Sequence, residues 1–245
     1  MEEIYSWADA QDEHCLYWLN GLGGTGKSTI ARTVARRLSD CSSLGVSFFF
    51  SKGGGDVSHA TRFATSIAFQ LVSHVSGMRQ HICEVATKFP NVSSLSLRDQ
   101  WRHLVLHPLS ALDITGDTTS VVLVIDALDG CDGDNNIGKI IELLTEPQDP
   151  GRLQLRILLT SRPEVRIRHG FDHVSNALLQ RYVLRRISSD IVNVDIALFL
   201  KQNLMTIGKK QYLSVDWPGP ETIAKMTQRA SGLFIWAAIA CRFIQ

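Results

Sequence analysis

Gly21-Leu22-Gly23-Gly24-Thr25-Gly26-Lys27-Ser28-Thr29 is the stretch that decides how this chain is read. It fits the phosphate-binding loop pattern G-x-x-x-x-G-K-[ST], with Gly21, Gly26, Lys27 and Ser28 in the fixed positions. Small residues let successive backbone N–H groups turn inward onto phosphate oxygens, an approach that a bulky side chain would block. The Lys27 ammonium is placed to reach β- and γ-phosphates, and the Ser28 hydroxyl to take one position on Mg²⁺. The helix that opens here directs its positive end at the anion.

The flanks supply the required order of strand, glycine loop and helix. Cys15-Leu16-Tyr17-Trp18-Leu19 is an apolar run of strand length that ends in the turn signal Asn20-Gly21. After the loop, Ile30, Val34 and Leu38 recur at helical spacing, with Arg32, Arg36 and Arg37 on the other face.

A second group of residues completes the pattern. Val121-Val122-Leu123-Val124-Ile125 reads as a strand buried on both faces, and it ends in Asp126. An acid at the carboxyl end of such a strand lies where ligands bind in open parallel sheets, and it is suited to hold Mg²⁺ opposite Ser28. Asp129, three residues on, is suited to orient or deprotonate an attacking water; a helix cap or a solvated loop acid is the alternative. Leu155-Arg156-Ile157-Leu158-Leu159-Thr160 is a further strand, and Arg162 follows it. That arginine reads as a γ-phosphate sensor or, alternatively, as the partner of a surface acid. Glu142 and Glu146 read as helix-surface residues, and 131–136 as a polar turn that lacks the glycine and final acid of a calcium loop.

With 245 residues the chain can bury a full core. Its 25 Lys+Arg against 24 Asp+Glu argue against a nucleic-acid-binding domain held by bulk positive charge. Cysteines at 15, 41, 83, 131 and 241 form no CxxC pair, so neither a zinc knuckle nor a disulfide framework is indicated, and a reducing, cytoplasmic setting fits. The N-terminus lacks a signal peptide's basic start and apolar core. The longest apolar stretch, 232–241, is shorter than the ~20 residues of a membrane span and reads as a buried core helix. No membrane association is expected.

Ser47-Phe48-Phe49-Phe50 reads as a strand between the loop strand and the Asp126 strand; an extra strand there marks the additional-strand class of P-loop NTPases. Residues 51–120 form a long helical connection, with a turn at Gly53-Gly54-Gly55-Asp56 and helices punctuated by Pro90 and Pro108. His103 and His107, at i and i+4, lack a third ligand and read as a helix face rather than a metal site. Tyr182-Val183-Leu184 reads as a last strand. Helical spacing follows from Arg185, broken at Trp217-Pro218-Gly219-Pro220; Arg185-Arg186-Ile187-Ser188 is a weak phosphorylation match. The expected fold is α/β, a mostly parallel five-stranded sheet flanked by helices over residues 1–184, with a small helical lid over 185–245.

These segments together resemble the NACHT domains of the STAND class of signalling NTPases, specifically the fungal proteins related to heterokaryon-incompatibility factors. The resemblance rests on 17–31, on Val124-Ile125-Asp126-Ala127-Leu128-Asp129, on Leu159-Thr160-Ser161-Arg162-Pro163-Glu164, on Asp195-Ile196 and on 230–237. It implies a switch that binds ATP or GTP with Mg²⁺, hydrolyses it slowly, and changes shape and self-association between nucleotide states. It assigns the phosphates to the loop 21–29 and Lys27, magnesium to Ser28 and Asp126, hydrolysis to Asp129 and the first sensor to Arg162. It also implies an effector domain and C-terminal repeats, neither present in this sequence, and a chain cut before a winged-helix domain.

The chain departs from the family in two places within the sequence. Gly130 stands where a second acid usually follows Asp129, and Phe234 stands where relatives carry a proline against the base. If the missing acid activates water, binding survives while hydrolysis is weak. Two alternatives follow: a non-hydrolysing scaffold that uses nucleotide as structural glue, and a nucleoside kinase. The extra strand and the lack of an arginine-rich lid argue against the kinase.

Overall fold

A computed structural model describes residues 1–10, 14–41, 44–53, 59–112, 120–146, 154–184, 187–214 and 216–244. Most of the expected glycine turn at 53–56, the boundary at 184/185 and the basic pair of the 185–188 motif lie outside the described residues. The chain divides into two compact units, Met1–Asn20 with Ser28–Tyr182, and Gly21–Lys27 with Val183–Gln245.

The first unit is built on five strands: β1 (Leu16–Asn20), β2 (Leu44–Phe49), β3 (Ser120–Asp126), β4 (Gln154–Ser161) and β5 (Leu179–Val183). Their order in the sheet is β2-β3-β4-β1-β5. The β2–β3, β3–β4 and β4–β1 pairs are all parallel. A P-loop NTPase fold of the additional-strand class requires one strand between the loop strand and the acid strand, and β4 is that strand. This corrects the reading of 47–50: Ser47, Phe48 and Phe49 belong to β2, and Phe50 follows it, at the sheet edge beside β3 and adjacent to the acid strand on its far side. A strand's place in chain order does not fix its place in the sheet, because parallel crossovers can step over a neighbour.

Helices cover both faces. They are α1 (Glu2–Asp9), α2 (Lys27–Asp40), α3 (Phe63–His74), α4 (Met78–Lys88), α5 (Leu97–Trp101), α6 (His107–Ser110), α7 (Asp134–Leu144) and α8 (Val165–Phe171). Strand side chains alternate with period two, so each apolar run supplies both faces. Leu16, Trp18, Leu123, Ile125, Ile157 and Leu159 join one core with Phe63, Ile67, Trp101, Ile140, Ile167 and Phe171. The intervening Tyr17, Leu19, Val122, Val124 and Leu158 are buried as well. On their face Tyr17 meets the Trp7 ring at 5.4 Å, and Arg37 of α2 lies 4.3 Å over Tyr5.

Arg156 is the exception in the β4 run. It is fully buried, donates to the Trp7 and His14 carbonyls at 2.7 and 3.2 Å, and so ties α1 to the sheet. Pro108 does not interrupt its helix: a π-helical turn, Arg102–Leu106, joins α5 to α6, and the proline stands in the first turn of α6. Glu146 also differs from its surface reading. It is largely covered and accepts from Arg98 Nε at 2.6 Å and Arg102 Nε at 3.1 Å. Burial pushes its carboxyl up, but the two guanidinium hydrogen bonds outweigh that and hold it below its ordinary value.

The second unit holds three helices among its described residues: α9 (Ser189–Lys210), α10 (Pro220–Ala230) and α11 (Phe234–Ile244). Ile196, Leu200, Leu204, Ile207, Ala230, Ala237 and Cys241 form its core. The 232–241 stretch is not a buried core helix. Ser231 and Gly232 take positive φ, α11 begins at Phe234, and only Ala237 and Cys241 of that helix are buried. Ile235 and Ile239 are about half exposed and Phe243 is largely exposed, because the small core offers α11 a single contact stripe. No helix among the described residues is long and apolar enough to cross a membrane.

Candidate functional site

The glycine loop leaves β1 at Asn20 and enters α2 at Lys27, the order that the sequence demanded. Gly24 and Gly26 sit at φ +79° and +92°, backbone that L side chains rarely adopt, so at these positions the glycines are a conformational requirement. The Thr25 hydroxyl donates to the Leu22 carbonyl at 2.9 Å and braces the turn. Lys27 is buried, and its ammonium donates to the Gly21 and Leu22 carbonyls at 2.7 and 2.8 Å. The side chain therefore folds back over its own loop, and its charge is held at the loop's centre.

Within the same unit, α11 touches the loop directly. Ile235 N–H donates to the Gly24 carbonyl at 3.3 Å. A Cβ on Gly24 would stand 2.2 Å from Ile235 Cγ2, and one on Gly26 would meet the Phe234 ring at 3.7 Å. Phe234 in turn sits edge-on to Phe199 of α9, 6.1 Å between centroids. The sequence offered Phe234 as a base neighbour; its place in this unit is beside Gly26.

In the first unit, Asp126 ends β3 and is buried. The Thr160 hydroxyl at the end of β4 donates to Asp126 Oδ1 and accepts from Ala127 N–H at 3.0 Å. This fixes one carboxylate oxygen and orients the group. Ala127 takes φ +57°, so the chain turns sharply just after the acid. Thr160 was missed as a site residue. The signal was present in the register: β3 and β4 run parallel with Ile125 beside Leu159, so Thr160 comes next to Asp126.

Asp129 and Arg162 come together. Asp129 Oδ1 accepts from the Arg162 backbone N–H at 3.0 Å, and Oδ2 lies 3.2 Å from Arg162 Nε. Arg166 also donates to the Asp129 carbonyl at 3.2 Å. The acid and the arginine of the sequence reading are thus partners of one another, with Asp129 largely covered and Arg162 largely exposed. Gly130 packs tightly under the end of β2, where a Cβ would lie 3.3 Å from the Lys52 nitrogen.

Two other readings meet the structure here. His103 stacks on Phe89 at 4.5 Å and faces His107 edge-on at 5.5 Å, and no metal-ligand cluster exists among the described residues. The 131–136 segment is a turn in which Asn136 donates to the Asp132 carbonyl at 2.9 Å.

The family model described as "Nephrocystin 3, N-terminal" matches residues 1–162. The chain belongs to the nephrocystin 3 N-terminal family. The nephrocystin 3 N-terminal match takes in the glycine loop, Asp126, Asp129, Thr160 and Arg162, and it stops before α8. No curated protein matches the chain. Among solved structures, the Aeropyrum pernix ORC2 protein in its ADP form is similar at 13% identity and TM-score 0.43, covering 98% of this chain and 65% of that one. Drosophila ORC bound to DNA is similar at 10% identity and TM-score 0.46, covering 96% and 52%. The Aeropyrum pernix ORC1 protein in complex with DNA is similar at 15% identity and TM-score 0.41, covering 98% and 62%. This chain therefore spans between about half and two thirds of the length of those structures.

Proposed function

We propose that this chain is a Mg²⁺-dependent nucleoside triphosphate switch that binds ATP or GTP, turns it over slowly and couples nucleotide state to self-association. The observation that carries the reading is the strand order: the glycine loop ends β1, Asp126 ends β3, and β4 separates the two strands. The donor set suits the ligand. The loop offers backbone N–H groups and one ammonium for phosphate, while the Asp126 carboxylate and Ser28 hydroxyl are hard oxygen donors suited to magnesium.

In this reading Gly21, Leu22, Gly23, Gly24, Thr25, Gly26 and Thr29 cradle phosphate, and Lys27 exchanges its loop carbonyls for phosphate oxygens. Ser28 and Asp126 hold magnesium, which supplies charge neutralisation on the β- and γ-oxygens. Thr160 keeps Asp126 in its orientation. Asp129 positions the attacking water and Arg162 senses the γ-phosphate, both from the pair they form with each other. A cytoplasmic role of the signalling kind found in fungal NACHT proteins is the setting that the motif order supports.

A second reading, a nucleotide-binding scaffold without turnover, is favoured by a specific pair of observations. Asp129 is already engaged by Arg162, and Gly130 provides no second acid. One paired experiment separates the two. Mg²⁺-dependent affinity for ATP and GTP is measured on the purified chain, and phosphate release is followed over hours beside Lys27→Ala. Binding with slow release supports the switch; binding with release equal to the Lys27→Ala control supports the scaffold. No binding of either nucleotide overturns both.

A further inference from the structure

Helix α9 runs 22 residues and buries one face through Ile196, Leu200, Leu204 and Ile207. Its opposite face should be polar on a helix that serves only the unit's core. Instead Ile191, Val194, Leu198 and Met205 stand 58, 67, 54 and 41% exposed. Their spacing of three, four and seven places them on one stripe of the a/d kind by which two helices pack against each other, with Lys201 at the d place between Leu198 and Met205. The stripe rises about 21 Å, nearly four turns, and Leu198 is its midpoint.

The charges beside the stripe name the partner. Asp190 and Asp195 lie in the N-terminal half of α9, and Lys201, Lys209 and Lys210 in the C-terminal half; all five are exposed. A second α9 laid antiparallel sets the acidic half of each helix against the basic half of the other. A parallel copy sets like charge against like. The ends of the stripe lie seven residues either side of Leu198, so one patch can face itself across a two-fold axis, with Ile191 at the level of the other copy's Met205 and Val194 at the level of its Gln202.

We propose that α9 is a self-association face on which two copies of this chain pack antiparallel through Ile191, Val194, Leu198 and Met205. The proposal names the surface for the self-association part of the functional reading and is independent of the nucleotide part. One helix pair of this length buries less than the ~800 Å² per partner of a standard interface, so the dimer is weak.

Sedimentation velocity on the full chain, from about 1 to about 200 µM, tests it. The expected result is a monomer–dimer equilibrium that Leu198→Glu weakens at least tenfold, with circular dichroism unchanged because Leu198 lies outside the core. Val194→Lys serves as the second variant. Asp195→Lys and Lys201→Glu should each weaken the dimer, and mixing the two variants should restore association. A monomer throughout the range overturns the proposal, as does a dimer indifferent to Leu198→Glu and Val194→Lys. A dimer weakened by Leu198→Glu but tightened or unmoved by Asp195→Lys overturns the antiparallel arrangement. If the wild-type chain dimerises through this face but binds neither ATP nor GTP, the functional reading falls and the α9 face stands; if it binds nucleotide and no dimer forms, the reverse holds.

Discussion

The Thr160 hydroxyl donates to the Asp126 carboxylate and accepts from the Ala127 N–H, so one side chain on β4 fixes both the acid of β3 and the turn that follows it. Replacing the hydroxyl by a methyl leaves a buried carboxylate short of a donor and a half-buried N–H short of an acceptor. Thr160→Val should therefore lower stability by roughly 1–3 kcal/mol in urea denaturation. Nucleotide affinity should fall more in magnesium than in EDTA, because the carboxylate has lost its orientation. Thr160→Ser keeps the hydroxyl and should recover most of both. Equal affinity losses in the two conditions would mean that Asp126 does not hold the metal.

Gly24 is constrained twice. Its φ of +79° disfavours any side chain, and Ile235 Cγ2 occupies the space a Cβ would need. The backbone term alone is worth about 1–2 kcal/mol, and the 2.2 Å approach forces α11 off the loop as well. Gly24→Ala should cost about 2 kcal/mol or more in thermal or urea unfolding. Adding Ile235→Ala removes the 2.2 Å approach but keeps a Cβ at 2.9 Å, so it should recover only part of the steric cost and none of the backbone cost. If the double variant is no more stable than Gly24→Ala, the contact between α11 and the loop carries no energy.

The loop, its strand and helix, and the strand with its terminal acid were legible because each is written in contiguous residues with a strong period or a fixed spacing. What stayed hidden depends on which segments become neighbours. The interposed strand is β4 rather than the 47–50 segment, and nothing local distinguishes an edge strand from a central one when both are apolar. Thr160 acts only because β4 lies in register beside β3. The Asp129–Arg162 pair and the Arg98–Glu146–Arg102 clasp join residues 33 to 48 positions apart. Exposure of Ile235, Ile239 and Phe243 was unreadable for the same reason: hydropathy reports what a helix could bury, and the partner surface decides what it does bury.

Glu146 gives the clasp a pH signature. Its carboxyl is held below its ordinary value in the folded chain. The clasp's contribution is therefore complete above the unfolded carboxyl pKa of about 4.3, and it is lost as pH falls through the lower folded value. Glu146→Gln should reduce stability at pH 7, and the gap to wild type should close as the pH falls through the acid range. Urea denaturation of both proteins at stepped pH measures it. A gap that stays constant down to pH 3 would show that charge on Glu146 plays no part.

The pairing of Asp129 with Arg162 ties the two residues offered for turnover to one another. Arg162 is 59% exposed, so the pair should add little stability, under about 1 kcal/mol in a double-mutant cycle. Its weight falls on phosphate release. Asp129→Asn keeps the acceptor for the Arg162 N–H but lowers proton affinity and negative charge, and should reduce release at least tenfold with binding nearly unchanged. Arg162→Ala frees Asp129 from its guanidinium and removes the cation, so release should also fall while the affinity difference between triphosphate and diphosphate narrows. Gly130→Glu tests the missing acid from the other side. A Cβ there meets the Lys52 nitrogen at 3.3 Å, which a shift of a few tenths of an ångström relieves. Turnover that rises in Gly130→Glu and falls in Asp129→Asn places water activation in this turn. Turnover unmoved by all three variants, with binding intact, places it elsewhere.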